Sequence, residues 1–124
     1  MPLQIRQGIE FVRLSVIEKK ASLFRSIFTP REIQYCTQKL RKFEHYGARY
    51  AAKKAILKLL PSKVKREITL TSIEILNAPS GVPYVQWSQK LMARFPFLKT
   101  TQVEVSLSHE RKIAAAAAVL IHDH

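Results

Sequence analysis

The run Gly47-Ala48-Arg49-Tyr50-Ala51-Ala52-Lys53-Lys54-Ala55-Ile56-Leu57-Lys58-Leu59-Leu60 sets the terms for the rest of the chain. Ala and Leu favour helix, and nothing breaks one before Pro61. At about 100° per residue, Ala48, Ala51, Ala52, Ala55, Ile56 and Leu59 share one broad apolar face. Phe43, Tyr46, Tyr50 and Leu57 form a second strip on the same cylinder. A helix apolar on two sides is enclosed by the rest of the fold. Its cations stand in the gaps, Lys42, Arg49 and Lys53 in one, Lys54 and Lys58 in the other. Lys54 lies closest in angle to Phe43 and Tyr50, so this reading encloses Lys54 and requires an anion beside it.

The segments on either side supply what such a helix packs against. Leu3, Ile5 and Ile9 alternate with Gln4 and Arg6, which predicts an opening strand with a close backbone approach at Gly8. Ser15 to Glu18 has the form of a capping box, and Ile17, Leu23 and Ile27 mark a short amphipathic helix. Thr29-Pro30-Arg31-Glu32 is a second start signal, for a helix running to about Leu40 before the central one begins near Arg41 or Lys42. Beyond Pro61 the period changes to two. Ile68 to Leu76 should contain a strand, Asn77 to Gly81 a turn, and Val82 to Trp87 the returning strand of a hairpin. Ser88 caps a short helix that stops at Pro96, and Val103 to Ser108 alternates as a strand. The alanine tract Ala114 to Ala118 favours helix by propensity, but its length and the β-branched residues beside it place it as a buried strand. The prediction is one α+β domain over residues 1–124, an antiparallel sheet packed on one long buried helix.

Twenty-one Lys and Arg against nine Asp and Glu leave a formal charge of +12, which calls for an anionic partner. Nucleic acid fits that charge, but the chain has no zinc-finger, RNP or Gly-x-x-Gly signature, and its aromatics fall at core spacing. A transmembrane span is not expected, since the longest apolar tract, Ile113 to Ile121, is too short to cross a bilayer. With no signal-peptide pattern either, the expected location is the cytoplasm. Cys36 is the only cysteine and reads as a packing residue rather than a nucleophile.

Acids are scarce, so each is informative. Glu10 closes the first strand, and Glu110 follows His109 in Ser106-Leu107-Ser108-His109-Glu110. His109 by itself reads first as a loop histidine making local hydrogen bonds. His45, His122 and His124 have weaker claims, and the last two belong to a terminus expected to fray. No pair of residues has the spacing of a zinc site, and Ser106 and Ser108 lack the flanking glycines of a nucleophile elbow.

Five separated segments together carry a resemblance. Gly8-Ile9-Glu10 is similar to an opening Gly-Ile-Asp strand, and Phe28-Thr29-Pro30-Arg31-Glu32 to a Leu-Thr-x-x-Glu helix start. Arg49-Tyr50-Ala51-Ala52-Lys53-Lys54-Ala55 resembles Arg-Phe-Ala-x-Lys-Glu-Ala. Asn77 to Gly81 with Pro83-Tyr84 follows Asn-x-x-x-Gly-x-Pro-Tyr, and Val105-Ser106-Leu107-Ser108-His109 follows Val-Ser-x-(Ser/Thr)-His. In order and spacing this resembles the holo-[acyl-carrier-protein] synthase type of 4′-phosphopantetheinyl transferase. The resemblance implies a compact α+β fold assembled as a homotrimer with sites between subunits. It also implies a reaction in which coenzyme A gives its phosphopantetheine to a serine of an acidic acyl or peptidyl carrier protein, as in fatty acid or polyketide biosynthesis. It assigns Arg49, Lys53, Lys58, Ser108 and His109 to coenzyme A binding, and Glu10, Lys54, Lys58 and His109 to the catalytic step. Glu10 and Lys54 fall where the family places two Mg²⁺-binding carboxylates.

The departures cluster at that last place. Glu10 replaces an aspartate and can still reach a metal; Lys54 replaces a glutamate, and an ammonium has no lone pair to give. Pro61-Ser62-Lys63 stands where the family has a glycine-containing loop, Val16 where it has a basic residue, and Arg13 where it has an acid. The paired change predicts an ion pair between Glu10 and Lys54. It leaves two readings, a transferase using Lys54 and Lys58 as a metal-independent diphosphate clamp, or a homologue that binds coenzyme A, a carrier protein or an active paralogue without transfer. Glu44, Glu74 and Glu110 are the acids that a neighbouring subunit would have to contribute.

Overall fold

The computed structural model describes residues 3–123. Strand β1 (Leu3–Arg13) is followed by three short helices, α1 (Leu14–Lys19), α2 (Phe24–Ile27) and α3 (Pro30–Thr37), and then by the long helix α4 (Lys42–Leu59). After α5 (Ser62–Lys65) come the hairpin strands β2 (Ile73–Asn77) and β3 (Pro83–Trp87), helix α6 (Gln89–Arg94), and the strands β4 (Gln102–His109) and β5 (Ile113–Asp123). Strands β1, β5 and β4 form an antiparallel sheet in that order, with β5 in the middle; β2 and β3 pair separately. The α+β prediction agrees with this architecture.

The alanine tract is the strand β5, and the reason lies across the interface. Ala114, Ala116 and Ala118 are buried and face α4, whose own contact face is Ala48, Ala51, Ala52 and Ala55. Small side chains on both surfaces let the helix axis come close to the sheet. Gly47 sits at the tightest point, where an added Cβ would lie 2.7 Å from the Leu14 side chain and 3.1 Å from Ala114. Tertiary pairing on both edges of β5 overrides the helix propensity of alanine.

A second core fills the space under α1, α2 and α3. Phe24, Phe28 and Tyr46 stack there with centroid separations of 4.3–5.1 Å, closed by Ile17, Ile27 and Cys36. Cys36 is fully enclosed and burial pushes its thiol up to about 12, which suits a packing residue.

Local signals vary in outcome. Thr29 caps α3 through a complete capping box with Glu32, and Ser88 caps α6 by accepting from the Leu91 N–H. The capping box expected at Ser15 does not form, because α1 starts at Leu14 with Arg13 in the cap position and no side-chain bond. The helix expected through Leu23 is broken by a 3₁₀ turn, and Leu23 is exposed. Helix α3 ends at Thr37 rather than Leu40, and β2 begins only at Ile73 because residues 70–72 form a 3₁₀ turn. His122 does not fray: it lies in β5, where its Nδ1 is 3.1 Å from the Thr101 hydroxyl. His124 lies outside the described residues. No helix among them is long and apolar enough to cross a membrane.

Candidate functional site

Two places on α4 carry chemistry, one at its middle and one near its C-terminal end. At the middle, Arg49 is buried between α3, the β2–β3 turn and β4. Its guanidinium lies 4.3 Å from the centroid of the Tyr35 ring and donates through Nη2 to the Asn77 side-chain oxygen. Asn77 is itself held, donating to the Gly81 carbonyl at 2.9 Å across a turn in which Gly81 has φ of 92°, a left-handed conformation suited to glycine. The Arg49 Nε–H has no partner among the described residues although it is buried. An unpaired buried donor costs on the order of 1–3 kcal/mol, a cost that Arg49 carries beside the recess.

The recess in front of it, ≈ 310 Å³, is lined by Tyr35, His45, Arg49, Asn77, Ser106 and His109, among others. His45 and His109 face each other with centroids 5.1 Å apart, and His109 Nδ1 lies 3.5 Å from the buried Glu44 carboxylate. Burial holds the His45 imidazole below its ordinary value of 6.5, with His109, Arg49 and Lys39 adding to the effect and Glu44 opposing it. An unfolded chain therefore takes up that proton first, and stability falls as pH drops below about 6.5. A His45→Phe variant lacks this titration. Its thermal midpoint is expected to fall less than the wild-type midpoint between about pH 7 and pH 5; parallel curves by calorimetry would refute the assignment.

Near the helix end, Lys58 reaches over Gly8 to β1. A Cβ built at Gly8 would lie 3.7 Å from the Lys58 stem, an ordinary contact, so the lysine passes directly alongside this position of β1. The Lys58 ammonium then contacts the Glu10 carboxylate at 3.2 Å and donates to the Ile9 carbonyl at 3.1 Å. This corrects the expected pair of Glu10 with Lys54, since the partner is one turn further along. Lys54 is exposed, its ammonium 5.8 Å from the Tyr50 ring centroid.

The enclosed lysine is Lys53. It is fully buried, and its three N–H groups go to Glu32 at 2.7 Å and to the Leu70 and Ile73 carbonyls at 2.9 and 2.7 Å. Glu32 in turn accepts from the Thr29 and Ile75 N–H groups, each at 2.9 Å. Lys53 thus has no donor left for a ligand, which corrects its expected place among the coenzyme A contacts. It welds α3, α4 and β2 together and so holds Asn77 against Arg49. Ser108, expected at the ligand, does not line the recess; in β4 it pairs with Ala115. Glu74 is bound within the chain by Arg31 and Thr29, and Glu44 faces His109 and Arg41.

The two-carboxylate magnesium site implied by the resemblance is not built by these residues. One carboxylate, Glu10, is already neutralised by Lys58, the other position holds an ammonium, and no group of three metal-capable side chains occurs among the described residues. Sequence reasoning left Tyr35, Asn77 and His45 off the list of site residues. The turn motif contains Asn77, whereas nothing local marks Tyr35.

The chain is similar to known proteins of one family. A family profile described as ACPS, the 4′-phosphopantetheinyl transferase superfamily, matches residues 8–118. A holo-[acyl-carrier-protein] synthase of Cytophaga hutchinsonii is 36% identical over 115 residues, covering 86% of this chain and 91% of the relative. A holo-(acyl-carrier-protein) synthase of Bacillus anthracis, solved in complex with CoA (3′,5′-ADP), superposes with a TM-score of 0.76 at 27% identity, covering 94% of this chain and 96% of that one. An ACPS–CoA complex from Chronobacterium ammoniagenes shares the fold at a TM-score of 0.79 and 19% identity, covering 98% and 99% of the two chains.

Proposed function

The chain belongs to the 4′-phosphopantetheinyl transferase superfamily as a holo-[acyl-carrier-protein] synthase-type member, and we propose that it transfers 4′-phosphopantetheine from coenzyme A to a serine of an acyl or peptidyl carrier protein. The observation that carries the reading is the buried, incompletely paired Arg49 at the back of a recess shared with His109 and Asn77. A fixed guanidinium with a free donor suits a phosphate of the nucleotide end of coenzyme A. Lys58, exposed at the other end of α4, suits the diphosphate, and Glu10 beside it is the carboxylate placed to take the serine proton as the serine oxygen bonds to phosphorus and adenosine 3′,5′-bisphosphate departs. The excess of 21 basic over nine acidic side chains steers both a polyphosphate and an acidic carrier protein toward the surface.

The face of the sheet turned away from α4 supports a homotrimeric reading. Ile5, Ile9 and Phe11 on β1 are 59–71% exposed beside Ile113, with Ala115 and Ala117 between them. A contiguous apolar sheet face of this kind asks for a cover, and copies of the same chain supply one. We place the protein in the cytoplasm, in keeping with its single unpaired and buried thiol.

Incubating apo carrier protein with coenzyme A and the protein should add one phosphopantetheine arm to the carrier, read by mass spectrometry, with the native spectrum of the same sample reporting the assembly. Retained coenzyme A binding without mass gain would favour the second reading, a homologue that binds but does not transfer, for which the ammonium of Lys54 is the motivating feature. Salt-sensitive binding to generic DNA without coenzyme A binding would overturn both.

A further inference from the structure

Positive charge gathers near the Glu10–Lys58 end of α4. Lys54 and Lys58 are four residues apart on one helix face, which sets their stems side by side. Lys20, from the end of α1, brings its ammonium to 5.9 Å from the centroid of Tyr50, the same ring that Lys54 approaches at 5.8 Å. Neither Lys20 nor Lys54 has a salt-bridge partner among the described residues, and the only carboxylate paired with Lys58 is Glu10. Lys20 and Lys54 therefore share one tyrosine ring, and Lys58, one helical turn beyond Lys54, holds the Glu10 carboxylate.

We propose that this cluster binds the diphosphate of its ligand directly on Lys54 and Lys58, with Lys20 as a third cation, and does so without a divalent ion. The proposal rests on the coenzyme A reading for the identity of the ligand, though the chemistry it recognises is the diphosphate itself. A magnesium ion would enter a field of ammonium groups and meet one carboxylate, itself already engaged by Lys58, in place of the two that the family supplies. A diphosphate meets the opposite situation. Its oxygens replace the Ile9 carbonyl and the Glu10 carboxylate as acceptors for Lys58, and they give Lys54 the anion it lacks. The Tyr50 ring attracts the ammonium groups of both Lys20 and Lys54, so their charges remain close to the site rather than dispersing into solvent.

The test is calorimetric titration of the whole protein with coenzyme A and, separately, with inorganic pyrophosphate, in EDTA and in excess MgCl₂. Wild-type affinity for coenzyme A is expected to agree within about twofold between the two buffers. A Lys54→Glu variant is expected to bind about tenfold more weakly in EDTA, the equivalent of about 1.4 kcal/mol, and to recover when Mg²⁺ is added. Lys54→Gln, which removes the charge without creating a ligand, should lose affinity without recovering. Wild-type binding of coenzyme A that needs Mg²⁺ overturns the proposal and leaves the coenzyme A reading intact. Pyrophosphate binding in EDTA that is lost in Lys54→Glu, with no binding of coenzyme A, upholds the proposal and removes that reading. Failure of both ligands to bind overturns the proposal.

Discussion

Replacing Lys53 with methionine should lower the unfolding free energy by about 3–5 kcal/mol, while the same change at its neighbour Lys54 should stay within about 0.5 kcal/mol. The two side chains are adjacent in sequence and opposite in environment. Lys53→Met keeps the length of the stem but leaves the Glu32 carboxylate charged and enclosed, and it strips the Leu70 and Ile73 carbonyls of their donor. Lys54 gives up only an exposed ammonium beside Tyr50. Urea denaturation followed by circular dichroism measures both as shifts in midpoint at constant slope. A cost below about 1 kcal/mol for Lys53→Met would show that the Glu32–Lys53 pair does not carry the weight its burial implies. A Glu32→Leu, Lys53→Met double variant should recover part of the loss and no more. The charge penalty disappears, but the Thr29 and Ile75 N–H groups lose the carboxylate that accepts them.

The second large effect is expected at Arg49. Arg49→Lys retains the charge but not the planar fork that stacks on Tyr35 and bonds Asn77. Coenzyme A affinity should fall about 10- to 100-fold, the equivalent of about 1.5–3 kcal/mol for a hydrogen bond to a charged group. Tyr35→Leu should produce a smaller loss of the same sign, because it removes the face against which the guanidinium is held. Both variants also give up some stability, because Arg49→Lys loses the buried bond to Asn77 and Tyr35→Leu the ring that the guanidinium stacks on, so affinity is compared on samples shown by circular dichroism to be folded. Unchanged affinity in Arg49→Lys would move the ligand away from this recess.

The nine acidic residues deserve comparison with the two lysines, because they show where local sequence is ambiguous. Glu32 satisfies a capping box completely, and that account conceals a second role: the same carboxylate holds a buried lysine and a backbone N–H of another strand. Glu10 belongs to a recognisable strand motif, yet its partner depends on which lysine of α4 lies over β1. That selection is a matter of helix placement by one turn, beyond the resolution of periodicity.

Sequence by itself determined most of the elements and the family. Alternation, capping residues and the Asn77–Gly81 turn were enough for β1, α3, the hairpin, α6 and β4, because each rests on contacts within a few residues. The motifs around Arg49 and His109 were equally legible, since their order and spacing survive without any knowledge of packing. Tertiary structure alone decided which lysine is buried. Lys53 and Lys54 are about 100° apart on the helix, and the angle that favoured Lys54 took no account of Glu32 arriving from α3 or of the carbonyls of residues 70 and 73. A charge enters a protein interior only where a counter-ion and acceptors meet it, and those came from segments distant in the chain. The same physics makes β5 a strand: alanine prefers a helix in isolation, but between β1 and β4, against a helix of alanines, only an extended chain satisfies the backbone on both sides.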